Sequence, residues 1–329
     1  MSTDSKVVLK ASGITKHFVA RQSVLKRIRK VEPFVVKAVD GVDLEIIQGE
    51  TIGLVGESGC GKSTFGRSLV GLYELSSGEI EIFDEKVARE RTMEQRRSVQ
   101  MIFQDPFSSL NPQMTIHSML KEVLLFHKLE SRESVDARIA ELLTLVGLPQ
   151  SSMHSHPRQF SGGQRQRIGI ARALALKPKI LIADEAVSAL DVSVQATIVN
   201  LLQDLKRDLG LTVLFISHNI AVVRQMSDRI AVMYLGRIVE IGRTEDVFTN
   251  PQHPYTKMLL GAIPQMTPGA QLKLEAANGE IDTPTAAGGC KFRNRCKFAM
   301  AHCATTDPAL VAVPGDSHQA ACLLYSESK

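Results

Sequence analysis

The segment GESGCGKST at residues 56–64 combines residue types that together can hold the phosphates of a nucleotide. Glycines at 56 and 61 let backbone N–H groups turn inward around an anion. Lys62 can reach the β- and γ-phosphates, and the Ser63 hydroxyl can hold Mg²⁺. A glycine-rich turn without a ligand is the alternative, but it does not explain the adjacent Lys and Ser. The segment therefore predicts nucleotide binding by Gly56, Glu57, Ser58, Gly59, Cys60, Gly61, Lys62, Ser63 and Thr64.

Two adjacent carboxylates end the apolar run ILIADE at residues 180–185. Asp184 is placed to hold Mg²⁺ together with Ser63. Glu185 follows it, where it can orient the water that attacks the γ-phosphate. Many strands end in acids, so the pattern alone is weak; downstream of a phosphate-binding segment it becomes a strong indication of nucleotide hydrolysis.

Strand and helix patterns alternate around these residues. The apolar run TIGLV precedes the phosphate segment, and the runs KILIADE and TVLFIS follow it. Helical patterns over about 162–176 and 192–209 separate them. Such alternation predicts an α/β fold in which a parallel sheet is covered on both faces.

The segment FSGGQRQRIGIAR at residues 160–172 resembles the signature of the ABC family, with Phe160 in place of the usual Leu. A Ser and two Gly at a helix start form a second phosphate-binding surface, which one chain does not need for one nucleotide. The resemblance implies that two subunits pair head to tail, so that each signature covers the partner's ATP. A capped helix start without a ligand is the alternative. The residues concerned are Ser161, Gly162, Gly163 and Gln164.

Further segments resemble the family in the same order. Gln104 in MIFQDP matches the loop that contacts Mg²⁺ and the γ-phosphate region and moves with the transmembrane partner. Asp191 in SALD matches the loop that crosses the dimer interface. His218 in FISHN matches the histidine that touches the γ-phosphate, although a lone His at a strand end is usually structural. The resemblance implies catalytic roles for Gln104, Glu185 and His218.

One aromatic residue and two departures complete the comparison with the family. Phe18 in ITKHF is the candidate platform on which adenine stacks, with a core strand residue as the alternative. Ala186 stands where Pro is common, and Asn219 stands where Asp is common. Neither departure removes a catalytic group.

Three stretches resemble the peptide and nickel import branch, in particular its second (F-type) ATPase: QDPFSSLNP, ADEAVSALDVSVQ and HPYTKMLLGAIP. The resemblance implies a subunit that powers a bacterial importer for di- or oligopeptides. Its implied partners are a paralogous ATPase in a heterodimer, two integral-membrane permeases and an extracytoplasmic substrate-binding protein. Nickel, opine or sugar cargo remains open. A soluble ABC ATPase acting on DNA or the ribosome is a weaker alternative, because such chains typically carry two cassettes or a long coiled coil.

Four of the five cysteines lie in the last 40 residues, with the spacing C-x5-C-x6-C-x18-C. Four thiolates can hold Zn²⁺ or a [4Fe–4S] cluster. The spacing lacks a tight C-x2-C pair, so only the resemblance to the peptide-importer branch favours the cluster; zinc and buried thiols are the alternatives. The predicted ligands are Cys290, Cys296, Cys303 and Cys322.

Length and composition are those of a globular chain: 329 residues, 44% hydrophobic, 22% charged, with a net charge of +4. That charge is too weak to indicate a nucleic-acid partner. The first residues lack the apolar core of a signal peptide, and no apolar run reaches the roughly 18 residues of a membrane span. Together with the resemblance, this predicts a peripheral protein at the cytoplasmic face of the plasma membrane.

The chain divides into three predicted regions. Residues 1–263 are expected to form the ABC ATPase domain, with a β-rich start and a helical subdomain over about 105–172. Its core, by resemblance, is a RecA-like phosphate-loop NTPase fold. A linker rich in Pro and Gly is expected over 264–289. Residues 290–329 are expected to form the small cysteine-bearing appendage.

Overall fold

The computed structural model describes residues 6–20, 34–105, 109–262, 288–314 and 318–325. Most of the predicted linker therefore lies outside the described residues, as does the middle of the motif QDPFSSLNP.

The strands of the described residues form one sheet of eight strands and one of four. Their bounds are β1 Val7–Val19, β2 Val35–Ile47, β3 Thr51–Val55, β4 Ser77–Ile82, β5 Glu85–Lys86, β6 Val99–Ile102, β7 Ile180–Asp184, β8 Thr212–Ile216, β9 Arg229–Tyr234, β10 Arg237–Arg243, β11 Val311–Ala312 and β12 Gln319–Ala320.

The helices lie mainly between these strands. Their bounds are α1 Lys62–Leu69, α2 Met93–Ser98, α3 Ile116–Phe126, α4 Val135–Leu145, α5 Gly162–Leu174, α6 Val192–Leu209, α7 Ile220–Met226, α8 Thr244–Thr249 and α9 Pro254–Gly261. Short 3-10 helices cover Gln150–His154, Pro157–Gln159, Arg293–Arg295 and Ala301–Ala304.

The larger sheet carries the predicted parallel core. Its strand order is β11-β12-β10-β9-β3-β8-β7-β6, and β9, β3, β8, β7 and β6 run parallel. Every residue of β3, β7 and β8 is buried, as expected for strands covered on both faces. The α/β prediction is therefore confirmed, and the ends of β3, β8, β7 and β6 meet at one edge of the sheet.

Side chains of one strand alternate between two hydrophobic cores, because successive residues of a strand point to opposite faces. Ile180 and Ile182 of β7 pack in the core that faces the antiparallel sheet β2-β1-β4-β5 and helix α1. Leu181 and Ala183 pack in the other core, with α5, α6 and the helical region. Phe160 is 9% exposed and belongs to this second core, so the Leu-to-Phe departure preserves an apolar contact.

The region predicted as helical over 115–148 contains two helices, α3 and α4. Lys128 has a positive φ of 52°, which breaks the helix after α3. The Ser131 and Ser134 side chains then hydrogen-bond to neighbouring backbone N–H groups before α4 begins.

The cysteine-bearing segment joins the larger sheet. β12 pairs antiparallel with β10, through Glu240 opposite Ala320 and Ile241 opposite Gln319. Phe292 is 3% exposed and packs in the core that holds α5 and α6. The described part of residues 288–325 is thus built onto the edge of the sheet that carries the phosphate segment.

Candidate functional site

The predicted phosphate loop spans residues 56–61, between β3 and α1. Gly61 precedes the helix with φ of +110°, and a Cβ there would lie 2.0 Å from the carbonyl oxygen of Ala38. Only glycine fits this position, because the conformation and the close backbone both exclude a side chain. The first N–H groups of α1 therefore open toward the end of the sheet.

Lys62 is held at the loop by two backbone acceptors. Its Nζ donates to the carbonyl oxygens of Gly56 at 2.8 Å and Glu57 at 2.9 Å. The residue is only 4% exposed. The ammonium group is therefore already placed beside the loop that would surround the phosphates.

Ser63 and Asp184 meet across the gap between α1 and β7. The Ser63 hydroxyl donates to Oδ1 of Asp184 at 2.7 Å. Oδ2 of Asp184 is buried and accepts no hydrogen bond from the described residues, although Nε of Arg67 lies 3.7 Å away. Burial raises the pKa of Asp184, against the Ser63 bond and Arg67, which lower it. A buried carboxylate oxygen without a donor beside a hydroxyl fits Mg²⁺, which prefers oxygen ligands.

The three candidate catalytic residues lie together at the same sheet edge. Nε2 of Gln104 donates to Oε2 of Glu185 at 2.8 Å, and Nδ1 of His218 lies 3.5 Å from that oxygen. Glu185 has a positive φ of 47°, and its N–H donates to the carbonyl oxygen of Ile216. This turn at the end of β7 separates the Glu185 side chain from the buried Asp184.

The signature segment begins helix α5. The Ser161 hydroxyl accepts from the N–H of Gln164, whose side chain accepts in return from the N–H of Ser161. Ser161, Gly162 and Gln164 are exposed. A Cβ at Gly163 would lie 2.5 Å from Cγ1 of Val194 in α6, so this glycine permits the two helices to approach. The helix start is thus capped and open to solvent, and its binding of a partner's nucleotide stays a prediction.

Two further residues that were predicted to contact nucleotide, Asp191 and Phe18, lie at the surface. Asp191 is the exposed residue before α6, and Val192 beside it is 82% exposed. Phe18 on β1 is 37% exposed and packs edge-on against Tyr73, with ring centroids 5.5 Å apart. Phe18 is therefore not a core residue, and a partly open ring leaves adenine stacking as the remaining prediction.

Two residues that the sequence analysis did not single out contact the phosphate loop. The hydroxyl of Tyr255 accepts from the N–H of Glu57 at 2.9 Å. Arg295 donates to both carboxylate oxygens of Glu57, at 2.8 and 2.9 Å. Tyr255 stands in the stretch HPYTK that carried the resemblance, but nothing in the sequence pairs either residue with Glu57.

The prediction of a [4Fe–4S] cluster is wrong. Among the described residues, which include all four C-terminal cysteines, no group of three or more His, Cys, Asp or Glu side chains could hold a metal ion, which also removes the zinc alternative. The cysteines are free, and Cys303 is buried. Burial raises the pKa of Cys290 to about 11 and also raises the pKa of Cys60, which favours neutral thiols. The spacing placed the four residues in one segment but did not create a ligand set.

Two family models match the chain: ABC transporter over residues 39–188, and the C-terminal region of oligopeptide/dipeptide transporters over residues 239–303. Together with a relative that is 46% identical over 93% of this chain, these matches show that the chain belongs to the family of ABC transporter ATP-binding proteins that carry this C-terminal region.

Curated relatives agree over nearly the full length. The chain is 46% identical to the oligopeptide transport ATP-binding protein OppF of Salmonella typhimurium, over 93% of each chain. It is 43% identical to the oligopeptide transport ATP-binding protein AppF of Bacillus subtilis, over 99% of each. A solved ATP-binding cassette, dimeric and bound to ADP and Pi after hydrolysis, is 30% identical, with a TM-score of 0.62 over 72% of this chain and 98% of that one. Within the described part of this chain, every helix is too short or too polar to cross a bilayer.

Proposed function

We propose that this chain is the ATP-binding and ATP-hydrolysing subunit of a bacterial ABC importer, with di- or oligopeptides as cargo. The observation that carries the proposal is the convergence of the phosphate loop, Gln104, the Asp184–Glu185 pair and His218 at the ends of four adjacent parallel strands. The names of the relatives support the cargo class.

In this proposal, the loop N–H groups and Lys62 bind the phosphates of ATP. Ser63, Asp184 and Gln104 would hold Mg²⁺, which when bound neutralises charge on the phosphates. Glu185 orients the attacking water. Gln104 and His218 hold the carboxylate of Glu185 in place through the contacts at 2.8 and 3.5 Å. Catalysis then depends mainly on positioning and on charge stabilisation.

The exposed start of α5 supports a head-to-tail pair in which residues 161–164 and Asp191 reach the partner's nucleotide. The partner we propose is a paralogous ATPase, in a heterodimer. Two permeases would receive the motion through the helical subdomain at about 105–172, and a substrate-binding protein would deliver cargo from outside. The chain would lie at the cytoplasmic face of the membrane, with residues 1–263 as the ATPase domain and 290–329 as an appendage to it.

The variant Glu185→Gln tests the proposed hydrolysis. It keeps the size and shape of the side chain but removes its charge and replaces one acceptor oxygen with an NH₂ donor. We expect ATP binding to the assembled complex within about threefold of wild type and steady-state turnover lowered by about 10²-fold or more, as for loss of a general base. Phosphate release and nucleotide affinity are the two measurements.

Glu245→Gln is the matched control, since this carboxylate forms an exposed ion pair with Arg224. It should leave turnover unchanged. Near-wild-type hydrolysis by Glu185→Gln would remove Glu185 from the proposed role.

The cargo is tested with the complex purified together with its permeases in proteoliposomes. The substrate-binding protein loaded with peptide should stimulate ATP hydrolysis by the complex. The substrate-binding protein loaded with nickel or with a sugar should not. Failure of this chain to co-purify with any integral-membrane subunit would contradict the importer proposal itself.

A further inference from the structure

The C-terminal segment contacts the phosphate loop through the charged pair of Arg295 and Glu57. The two guanidinium donors reach the two carboxylate oxygens at 2.9 and 2.8 Å, which is a bidentate arrangement. The Arg295 side chain is 9% exposed and that of Glu57 is 25% exposed. A pair this shielded from water has a more defined geometry than a surface ion pair.

Arg295 is itself held by aromatic rings. Its guanidinium carbon lies 5.9 Å from the ring centroids of both Tyr234 and Phe292. Those two rings meet edge to face, with centroids 5.3 Å apart, and Tyr255 packs against both. The guanidinium group is therefore fixed between the end of β9 and the segment that begins at residue 288.

Glu57 transmits this restraint to the loop through its backbone. Its N–H donates to the hydroxyl of Tyr255 at 2.9 Å, which ties the backbone of the loop to helix α9. Its carbonyl oxygen accepts from Nζ of Lys62 at 2.9 Å. One residue thus links the C-terminal segment on one side to the phosphate-binding lysine on the other.

We propose that Arg295 is a positioning residue which, through Glu57, holds the phosphate loop and Lys62 in the shape that receives nucleotide. This inference rests on the proposed nucleotide binding at residues 56–64. A loop that is ordered before binding loses less entropy when the ligand arrives. Once nucleotide is bound, its phosphates hold the loop themselves. Loss of Arg295 should therefore weaken affinity more than it slows turnover.

The test measures binding of Mg-ADP to the full-length chain by titration calorimetry. For Arg295→Met we expect roughly a tenfold rise in Kd, which corresponds to about 1.4 kcal/mol. Arg295→Lys should recover part of the affinity, because it restores the charge but not the bidentate fork. In the assembled complex, Arg295→Met should raise KM for ATP with a smaller change in kcat.

Arg293→Met is the matched control. Arg293 lies in the same short helix and donates to the carbonyl oxygens of Gly288 and Ala304, inside the C-terminal segment. It should lower stability without changing the Kd for Mg-ADP. An unchanged Kd in Arg295→Met, or an equal rise in both variants, would overturn the inference.

If Arg295→Met does not fold, the variant Glu57→Gln tests the same inference. It removes the charge and leaves the backbone acceptor of Lys62 in place, so it should also raise Kd; an unchanged Kd would again overturn the inference. Absence of Mg-ADP binding by the wild-type chain would instead contradict the proposed nucleotide site, which keeps the two failures apart.

Discussion

Asp184 and Glu185 of the candidate nucleotide site are adjacent in sequence but lie in different surroundings. Asp184 is fully buried and bonded to Ser63, whereas Glu185 turns through a positive φ to meet Gln104 and His218. A non-glycine residue in this conformation is strained, and such strain is commonly found at functional sites. Two different roles for these carboxylates were predictable, as hypotheses, from the order of the residues along the strand. The turn that separates the carboxylates was not, because no residue type in the segment demands it.

The buried side chain of His253 is expected to make the stability of the protein depend on pH. His253 is 2% exposed, and burial lowers its pKa to about 4. Its Nδ1 accepts from the N–H of Tyr255 at the start of α9. In the unfolded chain the pKa is about 6.5, so between pH 6.5 and pH 4 the unfolded state binds more protons. Stability contributed by neutral His253 is therefore lost as pH falls through this window.

The variant His253→Asn keeps an acceptor suited to the helix start and removes the titration. From pH 7 to pH 5, the wild-type free energy of unfolding should fall by about 2 kcal/mol more than that of the variant. Buried Glu240, which accepts from the N–H of residue 253, titrates in both proteins and cancels in the difference. Denaturant unfolding at pH 7 and pH 5 measures the free energy of unfolding of both proteins. An equal loss in the wild type and in the variant would disprove the lowered pKa of His253.

The start of helix α5 is a capped helix end and also a predicted contact with a partner subunit. Its first turn is stabilised by the reciprocal hydrogen bonds of Ser161 and Gln164, and the same exposed turn is the predicted contact with a partner's nucleotide. Helix α3 has a comparable start, where the Thr115 hydroxyl accepts from the N–H of Ser118. Comparing substitutions at the two helix starts therefore separates the effect of losing a helix cap from an effect on subunit association.

Ser161→Ala and Thr115→Ala should each cost about 1 kcal/mol of stability, the usual value of an N-cap side chain. Only Ser161→Ala should also weaken the Mg-ATP-driven association with the partner ATPase. Thermal unfolding and light scattering after gel filtration measure the two effects. If both variants associate like the wild type, Ser161 acts only as a helix cap.

Over the whole molecule, the C-terminal segment is expected to unfold together with the ATPase core. β12 extends the larger sheet, and Phe292 packs among Tyr234, His253 and Tyr255. Phe292→Ala should cost about 3–5 kcal/mol, as for other buried Phe residues. The thermal unfolding midpoint of the variant should be lower than that of the wild type, and the whole chain should still unfold in one cooperative transition.

Phe298→Ala is the control for that experiment, because Phe298 lies in the same segment but is 54% exposed. Its unfolding midpoint should stay close to that of the wild type. A separate early transition in Phe292→Ala, with the main midpoint unchanged, would show that the segment folds independently. Calorimetric scans of the full-length chain distinguish the two outcomes.

The sequence by itself determined the class of fold and predicted the main candidate site residues. Phosphate binding needs particular residue types in a local order, and buried parallel strands need continuous apolar runs, so both are visible along the chain. The tertiary structure decided what depends on contacts between distant segments. Arg295 meets Glu57 across 238 positions of sequence, and the carbonyl oxygen of Glu57 accepts from Nζ of Lys62. The four cysteines show the converse: they lie in one segment, but among the described residues no group of three or more ligand side chains could hold a metal ion.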